Sequence, residues 1–105
     1  MATPFTAITT TVSGTTPVQI ATWQRGDSAF AVLVRASNGS SATVWLTSDP
    51  NGTKAEAFPF YGGDLIGFDV PAKASAYAPT PPAETLYAFT NAGQATEVSV
   101  LIEPR

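Results

Sequence analysis

Turn-forming residues interrupt this sequence roughly every eight to twelve positions, which leaves no segment long enough for a helix of ordinary length. The residues between the turns are mainly β-branched or aromatic, and their apolar members alternate with a period of two. Gly, Pro, Asn and Asp supply the turns in the segments SGTTP, QRGD, SNGS, DPNG, YGG and NAGQ. The sequence therefore predicts an all-β fold, a single-domain antiparallel β-sandwich or small barrel of about eight short strands.

The clearest strand pair is predicted in residues 28–48, SAFAVLVRASNGSSATVWLTS. Two strands, FAVLVRA and ATVWLTS, flank a turn at residues 37–40, where Asn38 and Gly39 accept the positive φ angles of a tight hairpin loop. An isolated hairpin is marginally stable in water. We therefore expect the rest of the chain to cover its apolar face.

Six further strands are predicted, at residues 5–12, 18–23, 53–60, 64–70, 84–90 and 95–103. The first is rich in Thr and suits a sheet edge, and Pro59 places its own strand at an edge or at a bulge because it has no N–H to donate. Strict alternation in the second strand puts Ile20 on one face and both Ala21 and Trp23 on the other. The last two strands are predicted to pair as a second hairpin through the turn at residues 91–94.

One domain is expected from 105 residues, with an N-terminal arm and edge strand at residues 1–11 and the β-sandwich domain at residues 12–105. Within that domain, residues 71–83 contain four prolines and no long apolar run. Such a long irregular loop is uncommon in a compact domain. We therefore predict that this Pro-rich loop is a functional segment.

Charged residues make up 12% of the chain, about half the usual share, and small uncharged residues take their place. Burying small side chains costs little desolvation or conformational entropy, so this composition suits protein–protein contacts. The five basic residues are scattered in a chain of net charge −3, which argues against nucleic acid as a partner. Neither a secretion signal nor a membrane-spanning run is recognised, so no membrane partner is expected.

The chain contains no Cys and no His, the residues that supply thiol chemistry, the commonest metal ligand and the commonest general base. The acidic residues lie mostly at turns or strand ends, where carboxylates are usually solvated. Asp64 and Asp69, at the two ends of one predicted strand, are a poor catalytic pair. We therefore expect no enzyme activity, catalytic residue, cofactor, metal site or small-molecule substrate.

A carbohydrate- or receptor-binding β-sandwich module is an alternative, because aromatic rings can stack on sugars. The candidate rings are Trp23, Trp45, Tyr61, Tyr77 and Tyr87. This alternative predicts that Tyr61, Tyr77 or Trp23 lie exposed and coplanar on one surface. Among these rings, Tyr61, which lies beside two glycines, is the one that we most expect to be exposed.

Two segments of the C-terminal half carry a resemblance to a known family. FPFYGGDLIGFDV contains Pro59, Gly62 and Gly63, and LYAFTNAGQATEVSVLIE contains the LYA, Gly93, Ala95 and VSVL elements. Together they resemble small capsid-associated proteins of tailed bacteriophages, of the head-decoration or minor capsid type. The match covers roughly the C-terminal half of the chain.

The resemblance implies a non-catalytic virion structural protein that is made in the host cytoplasm and binds the capsid surface as a decoration or cement protein. Its implied partners are the major capsid protein and copies of itself, as a trimer. A location in the phage tail or baseplate fits the carbohydrate- or receptor-binding alternative. The expected contact segments are residues 1–11 and 71–83, and the candidate contact residues are Thr3, Pro4, Phe5, Ile8, Tyr61, Tyr77, Pro79, Pro81 and Pro82.

Overall fold

Two four-stranded antiparallel sheets form the structure, a computed structural model that describes residues 6–26, 28–72 and 84–104. Sheet A has the strand order β1-β8-β3-β6, and sheet B has the order β2-β7-β4-β5. The strands are β1 (Thr6–Ser13), β2 (Val18–Trp23), β3 (Phe30–Ala36), β4 (Thr43–Thr47), β5 (Phe58–Tyr61), β6 (Leu65–Val70), β7 (Glu84–Thr90) and β8 (Ala95–Pro104). The predicted all-β fold is confirmed, as a sandwich of two separate sheets rather than a closed barrel.

The strand order is that of a jelly roll, in which the chain passes back and forth between two sheets. Six of the seven connections between consecutive strands cross from one sheet to the other. The exception joins β4 to β5 within sheet B through a loop that contains a short 3₁₀ turn, Lys54–Glu56. That 3₁₀ turn occupies the first half of the strand predicted at residues 53–60.

The two predicted hairpins are wrong, although their strands and turns are present. Ser40 donates its N–H to the Ser37 carbonyl at 3.1 Å and Gly39 has a φ of 84°, but β3 and β4 then join different sheets. The strands β7 and β8 also separate, after a turn in which Gln94 donates to Asn91 at 3.1 Å. A turn sequence reverses the chain but does not determine which strand pairs beside it. Here β3 pairs with β8 and β6, and β7 pairs with β2 and β4.

The core lies between the two sheets and is filled by β-branched and aromatic side chains from both. Its largest fully buried hydrophobic side chains are Phe60, Ile20, Val12, Val32, Val34, Val44, Val98 and Val100. Each such side chain contributes about 1.5–3 kcal/mol relative to an exposed one. Alternation along each strand therefore decides which residues remain on the two outer faces.

A β-bulge in β2 overturns the strict alternation expected there. The register with β7 shifts between Gln19 and Ala21, so Ile20 and Ala21 are both buried. Beyond the bulge, Trp23 packs against the hydrophobic core rather than on the face opposite Ile20. The extra residue of a bulge moves every later side chain to the other face of its strand, which the sequence pattern did not reveal.

Both strands predicted at sheet edges lie at edges: β1 borders sheet A, and β5, which contains Pro59, borders sheet B. The register of β1 with β8 runs without interruption from Thr6 to Ser13. A boundary after residue 11 therefore falls inside a sheet strand, two residues before its end. Any test of the N-terminal arm must leave residues 6–13 in place.

Candidate interaction surface

Two rows of side chains cross the outer face of sheet A, and each row takes one residue from every strand of that sheet. The antiparallel registers align β1 with β8, β8 with β3, and β3 with β6. We call these eight residues the outer A face: Ala7, Leu101, Leu33 and Gly67 in the first row, and Thr9, Ser99, Arg35 and Leu65 in the second. It is a broad surface of small and aliphatic residues around one cation.

A shallow depression of about 360 Å³ lies on the outer A face. Leu33 lies across Gly67, where a Cβ atom on the glycine would come within 2.8 Å of the Leu33 Cδ2 atom. Because Gly67 has no side chain, the Leu33 side chain can pack over the backbone of β6 at this point. At the other end of the depression, the Thr9 and Ser99 hydroxyls are 3.4 Å apart.

No described residue covers the outer A face. Leu65 is 61% exposed, and Leu33 and Leu101 are half-buried. Scattered exposed apolar side chains are common, but a contiguous group bordered by polar residues is typical of an interaction site. The grouping rather than the exposure of any one leucine therefore identifies this surface.

Arg35 gives the outer A face its charge. Within the described part of the chain, Arg35 has no ion-pair partner, whereas Arg25 lies 3.4 Å from a Glu84 carboxylate oxygen without hydrogen-bond geometry. The exposed Glu97 is two positions along β8 from Ser99, the cross-strand neighbour of Arg35. A partner that buried Arg35 would have to supply a carboxylate or carbonyl oxygen, because an unpaired buried cation is costly.

The outer face of sheet B carries a smaller aromatic group. The Trp45 and Phe89 rings stack at 6.3 Å with an interplanar angle of 11°, and Phe89 is buried. The Lys54 ammonium lies 5.4 Å from the Trp45 ring centroid, and the Trp45 Nε1 donates to the Asn91 side chain at 3.0 Å. These contacts occupy Trp45 within the molecule and leave less of its ring available to a sugar.

Trp23 belongs to a cleft at one end of the sandwich rather than to an aromatic surface. Its ring makes an edge contact with Phe30 at a centroid distance of 6.5 Å and a tilted contact with Phe68 at 5.8 Å. Its Nε1 donates to the Glu84 carboxylate at 2.9 Å. The cleft has a volume of about 430 Å³ and is lined by Trp23, Ser48, Phe68, Glu84, Thr85 and Leu86. Trp23 is therefore half-buried rather than exposed, so it does not supply the exposed ring that the carbohydrate alternative predicts.

Three of the seven acidic side chains of the described residues accept hydrogen bonds in turns. Asp64 accepts the Tyr61 N–H at 3.0 Å, Asp49 accepts the Asn51 N–H at 2.8 Å, and Glu56 accepts the Thr53 hydroxyl at 3.3 Å. No group of three acidic residues comes together within the described ranges. Asp64 directly precedes β6 and Asp69 is its next-to-last residue, so most of the strand separates the two carboxylates.

Only two of the nine candidate contact residues lie within the described ranges. Ile8 is half-buried on β1 opposite Val100, and Tyr61 is 57% exposed at the end of β5, as expected for that ring. The strand β1 contacts β2, which lies at the edge of sheet B opposite to β5, so these two residues belong to separate surfaces. The candidates Thr3, Pro4, Phe5, Tyr77, Pro79, Pro81 and Pro82 lie outside the described residues.

The outer A face itself was not predicted. Its residues come from four strands that are far apart in the sequence, and their neighbours are set by the sheet order. The sequence indicates only a small part of this surface. In the strand FAVLVRA, Leu33 and Arg35 lie on the face opposite to Val32 and Val34. That signal identifies two outward residues but not the strands that extend them into a surface.

The described chain contains no helix with the length and apolar character needed to cross a membrane.

No protein-family model and no curated protein matches the chain. Among solved structures, the chain is similar to a protein of Bacillus endospore appendages, described as a novel family of disulfide-linked pili. The match has a TM-score of 0.52 and 15% sequence identity, and it covers 96% of this chain and 84% of that chain. At this identity the similarity concerns the fold, and it supports the β-sandwich architecture seen in the two sheets.

Proposed function

We propose that this chain is a non-catalytic structural protein of a phage virion, which binds the capsid shell as a decoration protein and stabilises it. The outer A face carries the proposal: five nonpolar and three polar residues from four strands form one surface, and among the described residues nothing covers it or pairs with its one cation. Such a surface is suited to docking on another protein. The resemblance of residues 58–70 and 86–103 to capsid-associated proteins supports the capsid as the partner.

Many weak contacts suffice for this role. A protein bound at many equivalent lattice positions can bridge neighbouring capsid subunits, and simultaneous contacts raise the overall affinity without any single strong interface. Low charge and small outward side chains reduce the desolvation that each contact requires. The major capsid protein is therefore the proposed partner, with copies of the chain itself as further partners.

Co-sedimentation tests the proposal with capsid shells of the phage whose genome encodes the chain. Wild-type protein should pellet with the shells in a saturable manner. Leu65→Lys should lower the affinity about 10- to 100-fold, since it replaces an apolar contact with a second cation beside Arg35. Phe58→Lys is the matched control, because Phe58 is 62% exposed and lies on β5 of the other sheet.

Two results would contradict the proposal in different ways. Wild-type protein that stays in the supernatant at all concentrations would exclude capsid binding. Equal binding by Leu65→Lys and Phe58→Lys would show that the outer A face is not the contact surface. Light scattering of the free protein would separately test the expected trimer.

A fibre subunit is the second candidate function, favoured by the similarity to a pilus protein over 96% of this chain. The chain has no cysteine, so a fibre built from it would have to be held together without disulfide links. Electron microscopy of concentrated protein in the absence of capsids distinguishes the two functions. Regular filaments would support the fibre, and dispersed particles would favour the decoration protein.

A further inference from the structure

The outer edge of β1 differs from the other three sheet edges. Within the described chain β1 pairs on one side only, with β8, which leaves the backbone N–H and C=O groups of its other side without a strand partner. Such an edge is a template for pairing with another strand, and proteins usually protect it with charges, prolines, bulges or short length.

Each of the other edges has such protection. The strand β2 contains a bulge, β5 has four residues including Pro59, and β6 contains Gly67 and the outward Asp69. In contrast, β1 has eight residues, TAITTTVS, with no charge, proline, glycine or bulge. Thr, Ile and Val also favour the extended conformation.

The sequence of β1 is symmetric in chemical character about Thr10. Reading outward from Thr10, Thr9 matches Thr11, Ile8 matches Val12, and the small Ala7 matches Ser13. Two copies related by a twofold axis perpendicular to the sheet would pair antiparallel and keep the same face outward. In such a pair, odd-numbered residues lie opposite odd-numbered residues and even-numbered residues lie opposite even-numbered ones. When the pair is centred on Thr10, each residue from 7 to 13 lies opposite a residue of similar chemical character.

We propose that β1 pairs antiparallel with β1 of a second copy, centred on Thr10, so that two A sheets join into one continuous eight-stranded sheet. The second copy is the occupant because the strand is complementary to itself. Thr–Thr and aliphatic pairs are favourable cross-strand neighbours. The inference goes beyond capsid binding, since it requires no other protein.

Charge does not oppose the pairing. The nearest outward charge on β8 is Glu97, which lies opposite Thr11 within its own copy. In the joined sheet, two copies of β1 separate the β8 strands, so the Glu97 side chains are at least three strand spacings apart, about 14 Å. That distance exceeds the screening length of about 8 Å at physiological salt. A contact of seven residue pairs is small, so we expect weak, concentration-dependent dimers.

Cysteine trapping tests the pairing sharply, because the chain has no cysteine of its own. Thr10→Cys should form a disulfide-linked dimer under mild oxidation, since directly opposed strand residues meet the distance needed for a disulfide. Thr15→Cys, at an exposed position between β1 and β2, is the control for random collision. The linked fraction for Thr10→Cys should exceed the control about tenfold, because pairing raises the effective thiol concentration.

Mixing two variants tests the register. Thr9→Cys and Thr11→Cys occupy exposed outward positions, so they should fold normally, and each should cross-link weakly alone and strongly when mixed. Circular dichroism checks that all variants are folded. Cross-linking of Thr10→Cys no greater than that of Thr15→Cys, or no gain on mixing, would overturn the proposal.

Discussion

Single residues in this fold are constrained most where two turns meet. The N–H of Gly63 donates to the carbonyl of Ala36 at 3.2 Å, which joins the turn after β5 to the end of β3. A Cβ on Gly62 would lie 2.3 Å from the Ser40 carbonyl oxygen and 3.1 Å from that of Ser37. Since backbone atoms cannot rotate away as a side chain can, Gly62 is required by close approach rather than by its φ angle.

Gly62→Ala should therefore destabilise the protein by about 2 kcal/mol, because the turn after β3 must shift to admit the methyl group. Gly26→Ala is the control: its Cβ meets no atom within 4 Å, and its φ is not in the left-handed region. Urea unfolding midpoints measure the difference. Equal unfolding midpoints for the two variants would show that the turn after β3 can move to admit the methyl group at little cost in stability.

Two buried threonines should respond in opposite directions to replacement by Val. The Thr90 hydroxyl is 2.9–3.1 Å from three backbone carbonyl oxygens, whereas the Thr96 hydroxyl has no hydrogen-bond partner among the described residues. Thr90→Val should cost about 1 kcal/mol, and Thr96→Val should be neutral or stabilising by up to about 1 kcal/mol, since it removes an unsatisfied polar group. Thermal or urea unfolding checks both, and destabilisation by Thr96→Val would indicate a hydrogen bond that the structure does not contain.

At the scale of elements, β1 has two roles that cannot be separated by deleting it. Its inner residue Val12 is fully buried in the core, and its outer residues Ala7 and Thr9 form part of the outer A face. Its free edge adds the proposed self-pairing. A loss of function after removing β1 would therefore not distinguish a lost contact surface from a lost fold.

Deleting residues 1–5 should leave a cooperative unfolding transition, because the register of β1 with β8 begins at Thr6. Deleting residues 1–11 should abolish that transition, since it removes most of β1 and uncovers the buried Val98 and Val100 on β8. Circular dichroism during thermal unfolding measures both variants. A cooperative transition in the longer deletion would show that the remaining seven strands form a stable core.

At the scale of the whole molecule, the proposed function depends on the surfaces that the two sheets present to other proteins. The two sheets bury one core and leave two outer faces, and the outer A face on sheet A combines leucines with small residues and one cation. The absence of cysteine also separates this chain from the disulfide-linked pili to which its fold is similar. Any assembly that it forms through this chain must therefore be held without disulfide links.

Wild-type oligomers should consequently be insensitive to reducing agents. Sedimentation velocity with and without dithiothreitol should give the same distribution of species at every protein concentration, because no thiol is present. Dissociation should instead follow dilution or urea. The Thr10→Cys variant is the internal control, since its trapped dimer should dissociate only after reduction.

The sequence by itself located all eight strands, although it began β5 five residues too early, and it indicated which of them could border a sheet. The alternation of apolar residues located β2, β3 and β7 with their observed bounds. The missing N–H of Pro59 restricted its strand to an edge or a bulge, and β5 lies at an edge. Only the tertiary structure decided which strands pair, why the two turns lead to opposite sheets, and where the bulge in β2 reverses its faces. The reason is that alternation records how one strand meets the core, whereas every strand offers the same backbone hydrogen bonds to its neighbours. Pairing is therefore chosen by the arrangement that buries all eight apolar faces together, and the outer A face exists only once that arrangement is formed.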